Sequence, residues 1–252
     1  MTIQRRVAAL AVALIVAFSG ESRAQKQGGV MRVYLFDSPA TMSIHEEVTI
    51  ATLASMMGVF NNLVTFDPKV PQSSLGSIVP ELATSWSWDA AKTTLTFQLR
   101  QGVQWHDGQA FTARDVKCTW DMLLGRSTEK LRINPRKAWY RNVEDIVVDG
   151  DHRVAFKLKQ PQPSLPILLA AGFSPVYPCH VPAAQMRQHP VGTGPFRFVE
   201  FKRNELIRVV RNPTYWKPGR PYLDGIDWEI IKNQSTGSLA FVAGKVDMTS
   251  PY

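Results

Sequence analysis

Residues 79–124, VPELATSWSWDAAKTTLTFQLRQGVQWHDGQAFTARDVKCTWDMLL, pass from one structural signal to the next with almost no slack. TLTFQLR nearly alternates apolar and polar residues, the pattern of a strand with one buried face. Gln101-Gly102 supplies a turn, residues 103–105 a short second extended piece, and Asp107-Gly108 a second tight turn. Thr112 stands three residues before Asp115, the spacing of a capping box, and Val116, Trp120 and Leu123 follow at helical spacing. The order is strand, turn, strand, turn, capped helix. It reads as one compact supersecondary unit around which the rest of the chain must fold.

With 252 residues, 44% of them hydrophobic, the chain has enough apolar surface for a sizeable core and no compositional mark of disorder. Residues 1–24 stand apart. Arg5 and Arg6 form a charged start, residues 7–18 an apolar run too short to span a bilayer, and Ser22-Arg23-Ala24 a small-x-small site. This predicts a secretory signal peptide cut after Ala24. No cysteine lies near that site to accept a lipid, so the mature protein is expected free in the periplasm of a Gram-negative source. Losing three arginines and one glutamate with the leader lowers the formal charge from +8 to +6. The remaining basic residues are scattered among acids and form no nucleic-acid stripe.

Along the mature chain, residues 30–36 predict a first strand, 46–59 a helix and 63–66 a strand ending in Asp67-Pro68. Residues 143–148 and 153–158 flank Asp149-Gly150, a hairpin signal. A Pro-rich break at 161–166 precedes a short helix at 165–171. Residues 196–201 and 206–211 predict a second hairpin, 226–231 a strand and 236–243 a helix closed by Gly244. Cys118 and Cys179 lie far apart in sequence. An oxidising compartment allows them a disulfide, but Cys118 sits inside the capped helix beside Val116 and Trp120, which favours two small buried thiols.

LATSWSW and LRQGVQWHDGQAFTARDV resemble the signature segment of the family 5 extracellular solute-binding proteins, which serve dipeptide, oligopeptide and nickel ABC importers. FNNLVTFDP at 60–68, VGTGPFRFVEF at 191–201 and RNPTYWKPGRPYLDGIDWEII at 211–231 agree in order and spacing, so the resemblance runs from Val30 through nearly all that follows. It implies a mixed α/β fold, the first lobe of a type II-like periplasmic binding protein. The core domain would comprise residues 30–45 plus 150–252, and residues 46–149 a small inserted domain. The second lobe falls outside the 252 residues, so the chain is expected to be partial. The implied activity is capture of a peptide or similar amine-bearing solute, with nickel chelates or sugars as alternatives, for delivery to an inner-membrane ABC permease with its ATPase. The resemblance implies a monomer, only peripheral contact with the membrane complex, and no cofactor or nucleic acid. Because the family anchors a peptide amino terminus in its second lobe, these residues alone are expected to bind weakly.

The resemblance also nominates contacts. His45, Glu46, Val48 and Thr49 match the loop after the first strand, whose backbone can pair with a peptide. Met42-Ser43-Ile44 stands where the family commonly has Leu-Asp-Pro, which leaves the ligand class open. Glu46 equally suits a solvated acid in a first helical turn. Gly192, Thr193 and Gly194 match the cleft floor, although they also suit a plain turn. Trp139 and Tyr140 match the place where peptide-binding relatives aim an aromatic at the ligand, and packing within the insert is the competing role.

Enzyme signatures are thin. The histidines at 45, 106, 152, 180 and 189 form no HExxH or His-x-His, and no GxSxG elbow occurs. The Gly192–Gly194 run lacks the Lys-Ser/Thr of a phosphate loop and leads into a strand. Neither catalytic nor metal-ligating residues are nominated. The other readings are a secreted hydrolase or metalloenzyme, and a single-lobe scaffold that has lost transport.

Overall fold

A computed structural model describes residues 27–249; the expected signal peptide lies outside them. The strands are β1 (Val30–Leu35), β2 (Val64–Phe66), β3 (Ile78–Pro80), β4 (Ala83–Trp88), β5 (Thr94–Leu99), β6 (Val143–Val148), β7 (Arg153–Leu158), β8 (Phe196–Lys202), β9 (Leu206–Arg211) and β10 (Gly225–Ile230). The helices are α1 (Ile50–Met56), α2 (Ala113–Leu124), α3 (Leu165–Ala170), α4 (Ala183–Met186) and α5 (Gln234–Val242). Two four-stranded sheets, ordered β1-β10-β9-β8 and β4-β5-β7-β6, carry the architecture, with β2 and β3 as a separate ribbon. The second sheet is antiparallel throughout; in the first, β1 runs parallel to β10.

The compact unit expected from the sequence forms. Thr112 and Asp115 complete the capping box of α2, and Gly125 closes the helix with φ of 77°, a conformation that costs glycine little. Trp120 lies edge-on to Phe156 at 5.1 Å and to Tyr140 at 5.8 Å, fastening α2 to β7 and to the 3-10 turn at Lys137–Tyr140. The helix expected at 46–59 is shorter. The amides of Glu46 and Glu47 both donate to the Ser43 carbonyl, closing a tight turn, and extended Thr49 then caps α1. Local hydrogen bonding outcompetes helix propagation here.

Two large buried clusters, with a small third one of Tyr34, Ala240 and Val246, make up the core of the described chain. One gathers Leu63, Phe97, Trp120, Phe156, Leu169 and Val176 around the second sheet. The other gathers Val33, Ile44, Met56, Phe60, Tyr177, Ile207 and Trp228 around the first. The expected insert borders at 46 and 149 do not coincide with this division. Residues 46–60 pack with β1, and a cut at 149/150 would split the β6–β7 hairpin, whose strands both belong to the second sheet.

The cysteines depart from expectation too. Cys118 and Cys179 form a disulfide, their Cα atoms 5.5 Å apart. The face of α2 turned away from the sheet lies against residues 177–179. Tyr177 N–H donates to Thr119 Oγ1 at 2.9 Å and Cys179 N–H to Asp115 Oδ1 at 2.8 Å, which brings the two sulfurs together.

Candidate functional site

The seam between the two cores opens as a groove of about 600 Å³. Ile44, Met57, Phe60, Phe66, Ala170, Pro175 and Pro195 make its walls largely apolar, and Asn61, Glu81, Tyr215 and Lys217 bring polar groups to it. Apolar walls with few fixed polar groups are the usual make-up of a small-molecule site. Asn61 is the hub. Its Oδ1 accepts from Thr193 Oγ1 at 3.1 Å and from Trp216 Nε1 at 3.3 Å. Its Nδ2 donates to Glu81 Oε1 and to the Tyr215 hydroxyl, and Lys217 Nζ pairs with the second Glu81 oxygen. Burial, with the Glu81 charge next, pushes the Tyr215 hydroxyl pKa upward, so it stays protonated. Arg100 and Lys217 both lie over the Trp216 ring, at 4.4 and 4.8 Å.

The Gly192–Gly194 run lies behind this hub and does not line the groove. A Cβ on Gly192 would collide with the Val59 carbonyl, and one on Gly194 would lie 2.5 Å from the Gly58 carbonyl oxygen. Glycine is required because two backbones touch. From the other side His106, on the Asp107-Gly108 turn, grips the same run. Its amide donates to Gly192 O at 2.9 Å, its Nδ1 accepts from Gly192 N–H at 3.2 Å, and its Nε2 donates to Gly194 O at 3.0 Å. Only the neutral Nε2–H tautomer satisfies all three bonds, and burial holds the imidazole pKa down to about 4.

The expected contact residues fall into two groups. Val48 is 64% exposed and Thr49 is exposed where it caps α1. Trp139 is 38% exposed, lines a second hollow of about 490 Å³, and meets Phe173 edge-on at 6.3 Å. Phe173 follows Gly172, which lines the groove.

His45, Glu46 and Tyr140 are buried instead. His45 donates from Nε2 to the Pro175 carbonyl at 2.9 Å and lies 4.3 Å from the Tyr177 ring; burial lowers its pKa to about 3. Glu46 takes both Nε and Nη2 of Arg187, at 2.7 and 2.9 Å, and also the Arg132 amide. It is therefore neither a solvated acid nor a free one. Tyr140 shares a 2.6 Å hydrogen bond with Ser174 Oγ, and burial raises its hydroxyl to about 12. His45 and Tyr140 thus brace the irregular run from Gly172 to Tyr177, which carries Pro175 to the groove and hands the Val176 amide to the Asn61 carbonyl.

Sequence reasoning missed Asn61, Glu81, Gly172 and Tyr215. Asn61 and Tyr215 do lie in the resembling segments FNNLVTFDP and RNPTYW.

Residues 77–252 match the model of the bacterial extracellular solute-binding proteins, family 5 Middle. The di/tripeptide-binding protein 2 of Pseudomonas aeruginosa is 27% identical over 84% of this chain and 43% of its own length. A putative ABC transporter peptide-binding protein of Brucella ovis is 28% identical over 75% of this chain and 36% of its own. Among solved structures, the DppA periplasmic binding protein of Helicobacter pylori, in complex with the peptide STSA, superimposes with a TM-score of 0.79. It is 24% identical, over 90% of this chain and 47% of that one, and shows the fold. The oligopeptide-binding protein AppA of Bacillus subtilis, in complex with a nonapeptide, gives 0.76 at 25% identity over 88% and 44%. The chain thus spans less than half the length of each of these relatives.

Proposed function

The chain belongs to the bacterial extracellular solute-binding proteins, family 5, and on that premise we propose that it supplies one half of a periplasmic receptor that captures peptides or similar small solutes for an ABC permease and its ATPase. The groove at the seam of the two cores carries this reading: its walls are apolar, and its polar groups are already fixed by the Asn61 network. Curated relatives named as peptide-binding proteins support the solute class. Val48, Thr49 and Trp139 serve as solute contacts. His45, Glu46, Tyr140, Gly192, Thr193 and Gly194 act behind them, holding the groove's walls in place. The inserted small domain is the body built on the second sheet. The leader directs export and is cleaved after Ala24, which leaves the protein free in the periplasm.

The test is solute uptake in the source bacterium with the gene deleted. Growth on di- and tripeptide pools as nitrogen source should fall, and be restored by the wild-type gene but not by Met57→Glu, which places a charge on an exposed wall of the groove. Undiminished growth on every pool after deletion would refute the proposal.

A further inference from the structure

A further hollow, of about 530 Å³, lies along β8, the edge strand of the first sheet, and shares no lining residue with the groove. Phe198 and Phe201 give it two rings, and Arg132, Arg187, His189 and Arg203 line it from three separate segments. The His189 ring meets Phe198 edge-on at 6.2 Å.

The charges around this hollow do not balance. Arg187 is matched by Glu46, whose side chain is 1% exposed. Glu200, which also lines the hollow, pairs with Lys202 and Arg208, and Arg208 pairs in turn with Asp227. Arg132 and Arg203 are exposed, and among the described residues neither has a carboxylate within ion-pair distance. Glu47, buried beneath Thr41, is shared between Arg132 and buried Arg136, which offsets it. Two guanidinium charges are left over.

The cations are also held in place before anything binds. Glu46 fixes Arg187 through Nε and Nη2 and accepts the Arg132 amide, so one buried acid positions two of the three arginines. Arg203 Nη2 donates to the Ala40 carbonyl at 3.1 Å, and its guanidinium lies 5.6 Å from the Phe201 ring. Prior ordering of long side chains lowers the entropy lost when a ligand arrives.

We propose that this hollow is a second binding site, separate from the groove, for a phosphate monoester that carries an apolar or aromatic group. A phosphate monoester approaches two negative charges at neutral pH and offers three acceptor oxygens, which matches two uncompensated guanidinium forks. A carboxylate or sulfate ester carries one charge and leaves a cation unanswered. Phe198 and Phe201 supply contact area for the body of the ester. Nothing in this assignment depends on what the groove binds.

Phenyl phosphate tests it against phenyl sulfate, a monoanion of nearly the same shape, and against inorganic phosphate. The thermal midpoint of the chain is followed at constant ionic strength as each probe is titrated. Phenyl phosphate should raise the midpoint saturably, with phenyl sulfate and inorganic phosphate each at least tenfold weaker. Arg132→Gln and Arg203→Gln should each weaken phenyl phosphate at least tenfold. Both side chains are exposed, so the unliganded midpoints should stay at the wild-type value. Lys69→Gln combined with Lys157→Gln removes two exposed cations away from the hollow and should leave phenyl phosphate binding unchanged. Equal affinity for the two esters would overturn the proposal, and inorganic phosphate binding as tightly as phenyl phosphate would remove the role of the rings and overturn the monoester assignment. Full binding by either arginine variant, or equal weakening in the Lys69/Lys157 variant, would show a response to net charge alone and would overturn it too.

Discussion

The His106 clamp should make acid stability depend on a single imidazole. The three bonds to Gly192 and Gly194 need Nδ1 unprotonated, and burial, the largest cause, holds the folded pKa near 4. In the unfolded chain the same ring titrates near 6.5, so between these values the unfolded state binds more protons. Stability is therefore complete above about pH 6.5 and falls as the pH drops through the window to about 4. For one such site the loss between pH 8 and pH 5 is about 2 kcal/mol. His45, lowered to about 3, adds a similar loss of roughly 2 kcal/mol over the same interval. Glu47, raised by burial, acts in the opposite direction, but equally in the wild type and in a position-106 variant. Urea unfolding read by tryptophan fluorescence at pH 8 and pH 5 isolates the clamp. His106→Gln should lower stability at pH 8 by about 1–3 kcal/mol through lost hydrogen bonds. It should also shrink the pH 8 to pH 5 difference by about 2 kcal/mol relative to wild type. A variant with the wild type's full acid loss would show that His106 is not a neutral ligand of the glycine run, and the reasoning would fall.

The disulfide closes a separation of 61 residues, for which loop-closure entropy gives a stabilisation of about 4 kcal/mol. Cys118→Ser with Cys179→Ser should lower the denaturant midpoint accordingly, and reductant should lower the wild type but not the variant; a midpoint that reductant leaves unmoved would contradict the bridge. Gly192→Ala should destabilise by about 3 kcal/mol or more, since its Cβ meets the Val59 carbonyl. Gly150→Ala, at an open hairpin turn with φ of 65° and nothing near its Cβ, should cost only about 1 kcal/mol. Equal costs would refute the close-packing argument.

What was legible in the sequence followed the range of the interaction. The α2 capping box and the Asp149-Gly150 hairpin are each specified within a few residues, and each forms where expected. The shortened α1 was hidden because Ser43 captures the Glu46 and Glu47 amides, a competition that apolar spacing does not register. Cys118 could have been placed better: at about 100° per residue it lies roughly 200° from Val116, so it faces away from the sheet that Val116 and Trp120 cover. The groove was illegible for another reason. Asn61, Glu81, Thr193, Tyr215 and Trp216 are tied by hydrogen bonds only after four separate segments meet, and nothing local to FNNL or PTYW announces the partner. Glu46 misled in the same way, because its partner Arg187 is 141 residues away.

The placement of these long-range ties limits how the groove can work. The Cys118–Cys179 bridge, the His106 grip on Gly192 and Gly194, and the Asn61–Glu81–Lys217 network all cross the seam between the two cores. Each is covalent or at least partly buried, and each ties together segments distant in sequence. Sliding the cores past one another would break several bonds together, so the groove walls hold a fixed spacing before any solute arrives. A preformed wall avoids the ordering cost that a flexible one incurs on binding. On the proposed solute-binding reading, capture would then not draw its conformational change from this seam. The parts left free to respond are those outside the ties, namely the Trp139 ring, the exposed Val48-Thr49 corner and whatever surface approaches the groove from across it. If the proposed receptor signals a bound solute by hinge closure, the described residues are the rigid face against which closure occurs.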